Sequence, residues 1–159
     1  MPDEIPGRTL GFILNDVARL LRKRFEQRAR AARLGLTRAQ SSVLASLARQ
    51  EGINQAALAQ ILEIEPITLA RLIDRLQAAA LVERRPDPGD RRARLLYLTA
   101  SAYPLLERIF SLAAAVREDA LAGVPETDRA RLVEMLLTMK SNLLDRAAEP
   151  TALQEVVNG

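Results

Sequence analysis

From Leu10 onward apolar residues return every three or four positions, at Ile13, Leu14, Val17, Leu20, Leu21 and Phe25. That is the period of one helix face. Thr9 stands at the N-cap position, and the helix is expected to run to Ala32, with Gly35 in the break that follows. Thr37 opens a second helix with Val43, Leu44 and Leu47 on its inner face, and Gly52 ends it. Asn54 caps a short third helix holding Leu58, Ala59, Ile61 and Leu62. Pro66 suits the first position of a fourth, where its missing N–H costs nothing. The apolar stripe of that helix reads Ile67, Ala70, Ile73, Leu76 and Gln77 or Ala80; its other face carries Thr68, Arg71, Asp74 and Arg75.

The period then shortens to two. Leu81 to Arg85 reads as a strand, Pro86 to Arg92 as a turn, and Ala93 to Leu98 as the returning strand with Leu96 and Leu98 on the core face. Thr99 and Ser101 open a long helix with Leu105, Leu106, Ile109, Leu112, Ala113 and Val116 inward. Gly123-Val124-Pro125 breaks it, and a last helix carries Leu132, Val133, Leu136, Leu137, Leu143 and Leu144. Residues 1–8 and the tail from Pro150 show no such pattern and are expected to be loosely held. The predicted fold is mainly α with a small β-hairpin, a winged helix–turn–helix flanked by N- and C-terminal helices. Leu132, Met135, Leu136, Met139 and Leu143 present more apolar surface than one small domain buries, so they are expected to pack against a second chain.

Composition narrows the chemistry. Of 159 residues 48% are apolar but only 3% aromatic, and that Ala- and Leu-rich bias favours helix. There is no cysteine and no histidine. Disulfides, thiolate sensors, Cys- or His-ligated metals and a near-neutral acid–base group are thereby excluded. No metal site, cofactor or catalytic residue is expected. The N-terminus lacks a basic segment followed by an apolar one, and the run from Ile109 to Val116 is too short to span a bilayer, so a soluble cytoplasmic chain without membrane contact is expected.

The net charge of +3 is unevenly spread: residues 1–35 carry +4, residues 66–99 carry +3, and residues 100–159 carry −3. Such asymmetry suits a polyanion-binding face. Two constellations fit it. In the turn Asp87-Pro88-Gly89-Asp90-Arg91-Arg92, an Arg at a rigid tip can enter a minor groove, and Asp90 pairing with Arg92 would orient the guanidinium. The plain alternative is a solvated charged turn. On the fourth helix Thr68, Arg71 and Arg75 share one face, which a major groove admits and where Arg reads guanine. The plain alternative is a surface helix with an Arg71–Asp74 pair. Arg91 and Arg94 are candidate phosphate contacts, and Arg84 and Arg85 either touch phosphates or stay solvated. The cations of the first helix encircle it, so a solvated face is expected there, with one or two of them lining an inner cavity. Ser41-Ser42 has no base nearby in sequence, and no Gly-rich phosphate loop appears.

The runs Leu36-Thr37-Arg38-Ala39-Gln40, Gln55-Ala56-Ala57-Leu58-Ala59 and Ile67 to Leu76, continued through Leu81 to Arg92 and Leu98-Thr99, resemble the MarR family of bacterial transcriptional regulators, close to its SlyA-like branch. The resemblance covers about residues 10–146. It implies one domain in which residues 10–35 and 100–146 are dimerisation helices, 36–99 the winged helix–turn–helix lobe and 147–159 a tail. It further implies a homodimeric repressor or activator on double-stranded palindromic DNA. Thr68, Arg71 and Arg75 then fall on the recognition helix, and Asp90, Arg91, Arg92 and Arg94 on the wing. Many members bind a small aromatic or phenolic acid in a cleft between the two lobes, which implies such an effector; its residues are not readable from spacing. Where the family usually has Gly, this chain has Ala80, a position that often needs a left-handed backbone. The alternative from another class is a protein-interaction module, an anti-regulator using the same winged helix without specific DNA binding.

Overall fold

Leu44, Leu47, Leu58, Leu69, Ile73, Leu76 and Leu96 expose no surface, and the elements carrying them define the architecture. The structure, a computed structural model, describes residues 9–146. In chain order it has α1 (Leu10–Ala31), α2 (Arg38–Arg49), β1 (Ile53–Asn54), α3 (Gln55–Leu62), α4 (Pro66–Ala78), β2 (Val82–Pro86), β3 (Arg94–Leu98), α5 (Ala102–Ala120) and α6 (Glu126–Arg146). Of the described residues, 9–120 form one compact unit and 121–146 another. The segments expected to be loose, 1–8 and the tail from 147, lie outside the described residues.

Local chemistry sets the helix starts in the first unit. Thr37 Oγ1 accepts from the Gln40 amide at 3.1 Å while Gln40 Oε1 accepts from the Thr37 amide at 2.9 Å, so two otherwise orphaned donors are satisfied reciprocally. Asn54 Oδ1 accepts from the Ala57 amide at 2.8 Å to open α3. Pro66 is the first residue of α4. Thr9 occupies the N-cap of α1 without a side-chain capping bond.

The sheet differs from the expected hairpin. A third strand, β1, pairs antiparallel with β3, giving the order β1-β3-β2. Two residues are too few to show a period, so this pairing left no trace in the pattern. Gly52 makes it possible. Its φ is +72°, its N–H donates to the Leu96 carbonyl at 2.9 Å, and a Cβ there would come within 3.0 Å of the Tyr97 hydroxyl. Beyond the reach of β1, Glu51 Oε1 accepts from the Leu98 amide at 2.7 Å.

One expectation about the core is corrected. Ile67 was placed on the inner stripe of α4, yet it is exposed; the buried stripe is Leu69, Ile73 and Leu76. Helix phase is set by whichever apolar residues meet α2 and α3, and the pattern admitted two phases. On α1, Ile13, Val17, Leu20 and Leu21 are exposed, and full burial begins only at Ala29. The carboxyl half of α1 is tied to α5. Arg28 Nη2 lies 2.6 Å and Arg24 Nε 3.5 Å from Asp119 Oδ2, and Arg108 donates to the Ala32 carbonyl at 2.7 Å. The hydrogen bond from Arg28, aided by the charges of Arg28 and Arg24, outweighs desolvation and holds the Asp119 carboxyl below its ordinary range.

In the second unit Arg129 ties the start of α6 to the preceding turn, donating to the Val124 and Leu121 carbonyls at 3.0 Å each. Leu132, Met135, Leu136 and Leu143 are exposed there and Met139 is half-buried.

Candidate nucleic-acid interface

The outer face of α4 follows from its buried one. With Leu69, Ile73 and Leu76 inward, Ile67, Thr68, Arg71, Asp74 and Arg75 are exposed. Arg71 does not pair with Asp74: that carboxylate accepts from Arg84 Nη2 at 2.7 Å. Among the described residues the guanidinium groups of Arg71 and Arg75 have no carboxylate partner. The helix thus presents two uncommitted cations, a hydroxyl and one apolar side chain outward.

The wing is a two-stranded ribbon in the register Val82–Leu98, Glu83–Tyr97, Arg84–Leu96, Arg85–Leu95 and Pro86–Arg94. Paired residues share a face, so Arg84 lies on the same face as buried Val82 and Leu96. Its guanidinium spans two helices. It donates to Gln55 Oε1 at 3.0 and 3.2 Å, to Asp74 Oδ1 and to Gln77 Oε1. Neither expected role for Arg84, phosphate contact or solvation, matches this: the group is committed internally, and its side chain is only 23% exposed. The signal was the strand period itself, since Val82 and Arg84 are two apart. Arg85, on the opposite face, pairs with Glu83 and stacks over the Tyr97 ring at 4.1 Å from its centroid.

Two aspartates order the turn through the backbone. Asp87 Oδ1 accepts from the Gly89 amide at 2.8 Å, and Asp90 Oδ1 from the Arg92 amide at 2.9 Å. Asp90 therefore holds the main chain at Arg92 and not its guanidinium, which corrects the expected side-chain pair. The Arg91 and Arg92 side chains are exposed and have no carboxylate partner among the described residues. Arg94 folds back, its Nη1 3.4 Å from the Arg91 carbonyl and 3.3 Å from that of Ala93.

A cavity of about 290 Å³ opens between α1, α2 and α5. Leu21, Phe25, Ile109 and Val116 give it apolar walls, and Arg22 and Arg38 border it. Ser41, also on its wall, is 2% exposed, and its Oγ has no hydrogen-bond partner. A buried unsatisfied hydroxyl is costly; Arg38 is paired with Glu26 at 3.3 Å, and Arg22 beside an apolar wall suits an anion carrying a ring. In sequence Ser41 reads only as a nucleophile without a nearby base. Nothing in its spacing shows that α1 and α5 close over it. Among the described residues no helix is long and apolar enough to cross a membrane, and no group of three or more His, Cys, Asp or Glu could hold a metal.

Comparison with known proteins agrees with this arrangement. The model of the MarR family matches residues 34–93, from the start of the helix–turn–helix into the wing. The transcriptional repressor NicR of Pseudomonas putida is 28% identical over 132 residues, covering 80% of this chain and 84% of its own. The crystal structure of transcriptional regulator PA3341 superposes with a TM-score of 0.75 at 37% identity, over 86% of this chain and 99% of that one. A mutant MarR from E. coli, solved in complex with operator DNA, superposes with a TM-score of 0.70 at 25% identity, over 82% of this chain and 92% of that one.

Proposed function

The chain belongs to the MarR family of DNA-binding transcriptional regulators, and from that premise we propose that it acts as a homodimeric repressor of a palindromic operator, released by a small aromatic acid. We place it near the family's SlyA-like branch on the run from Ile67 to Leu76 and into the wing. In this reading α4 enters a major groove with Thr68, Arg71 and Arg75 toward the bases, and the wing enters the adjacent minor groove. Asp90 sets the backbone at the tip, Arg92 probes the groove, and Arg91 and Arg94 meet phosphates. The observation that carries the reading is the division of the arginines. Arg84 is held internally and Arg85 pairs with Glu83 at the surface, whereas Arg71, Arg75, Arg91 and Arg92 have no carboxylate partner among the described residues and face outward. Cations left without a counter-charge are available to phosphate and base edges.

Fluorescence anisotropy on duplex DNA from upstream of its own gene tests this. Affinity is expected to fall steeply with salt, because several phosphates are neutralised per dimer. Arg92→Ala is expected to weaken binding by about 1–3 kcal/mol with the fold intact. A flat salt response, or an unchanged Arg92→Ala variant, refutes the assignment.

The effector is assigned to the cavity beside Ser41, where a ring would meet Leu21, Phe25 and Ile109 and a carboxylate Arg22, since Arg38 is already paired with Glu26 at 3.3 Å. A ligand bound only by the native state raises the melting temperature. Benzoate-type acids are expected to do so in the wild type and not in Arg22→Ala; equal shifts in both would place the ligand elsewhere.

A further inference from the structure

Ile67 is the one large apolar side chain exposed on α4 among the described residues, at 63% of its surface. By helix angle it stands opposite Leu76 and within about 40° of Arg71. It is therefore centred on the outward face, between Arg71 and Asp74 and one residue from Thr68. The helix phase is fixed by Leu69, Ile73 and Leu76 and by Pro66 at its start, so Ile67 has no route to this core. A single exposed isoleucine is ordinary in itself. This one sits in the middle of a face whose cations lack internal partners. Whatever those cations meet, Ile67 meets as well.

Among the base edges presented in a major groove the apolar group is the C5-methyl of thymine. We infer that Ile67 is a specificity-determining residue that packs on a thymine methyl in each half-site of the operator. The inference rests on the reading that α4 occupies a major groove. A β-branched side chain in a helix holds essentially one χ1 rotamer, so Ile67 loses little entropy on docking and offers its methyls in a fixed direction. Thr68 and Arg71 then read the edges of the neighbouring bases, and Ile67 supplies the largest apolar contact on that face.

The test replaces thymine by deoxyuridine, which removes the methyl and leaves base pairing unchanged. An operator duplex is selected by the wild-type chain from a random-sequence pool, and each thymine is substituted in turn. Wild type is expected to lose about fourfold in affinity at one symmetry-related position per half-site, the factor that burial of one methyl-sized group gives. Ile67→Ala is expected to bind the thymine and deoxyuridine duplexes equally; its binding to mixed-sequence DNA at low salt reports that it is folded. If wild type is indifferent at every thymine, or Ile67→Ala keeps the sensitivity, the inference is overturned while the DNA-binding reading stands. If wild type selects no duplex at all, both are overturned.

Discussion

Three described helices end with the same hydrogen-bond pattern, and in each the residue that needs a left-handed backbone is not glycine. Arg33, Glu63 and Ala80 have φ of +51°, +52° and +57°. At the end of α4 the Leu81 amide donates to the Leu76 carbonyl and the Ala80 amide to that of Gln77, at 2.9 Å each. Leu76 and Leu81 are both buried behind that turn. The Thr99 hydroxyl donates to the Ala80 carbonyl, pinning the strained residue to the end of β3. The strain suspected from the sequence at Ala80 is therefore real and held by tertiary contacts. Ala80→Gly is expected to raise unfolding free energy by about 1 kcal/mol, because glycine adopts this conformation without a Cβ clash. Urea denaturation checks it: the midpoint should rise at unchanged slope.

At the scale of elements, the placement of α4 is the fact on which function turns, and Arg84 secures it. One guanidinium from β2 binds Asp74 and Gln77 on α4 and Gln55 at the start of α3. Arg84→Met keeps the aliphatic stem and removes the charge-assisted bonds. It is expected to cost about 1–2 kcal/mol of stability, the lower part of the range for such bonds because Asp74 is solvent-facing. Operator affinity should fall with it, while the slope of log affinity against log salt stays as in wild type. A slope reduced by about one would instead mark Arg84 as a phosphate contact. The wing was legible as an element because the turn residues Pro86 to Arg92 separate two short extended runs, the second with Leu96 and Leu98 two apart on one face. The inward direction of Arg84 was also legible, from Val82 two residues before it, whereas its partners on α3 and α4 lie far off in sequence.

At the scale of the molecule, α1 and α6 each carry an apolar row that is exposed among the described residues. On α1 these are Leu10, Ile13, Val17 and Leu20; on α6 they are Leu132, Met135, Leu136 and Leu143. In the proposed dimer each row is covered by a second copy. Leu136→Asp is expected to shift sedimentation from dimer toward monomer at micromolar concentration and to weaken operator binding, since two half-sites must be held together. A variant that stays fully dimeric would remove α6 from the interface.

The sequence by itself determined the helices and the wing, because period, caps and turn residues are local and act within a few positions. Thr37 with Gln40, Asn54, Pro66 and the Asp87–Asp90 turn each do in the structure what their neighbours in sequence require. Tertiary structure alone decided what depends on residues distant in the chain. It decided the pairing of Ile53 with Leu96, the phase of α4 that turns Ile67 outward, the commitment of Arg84 to two helices, and the closure of α1 and α5 over Ser41. Each of these depends on which surfaces meet, and the partner surface leaves no mark in the local sequence.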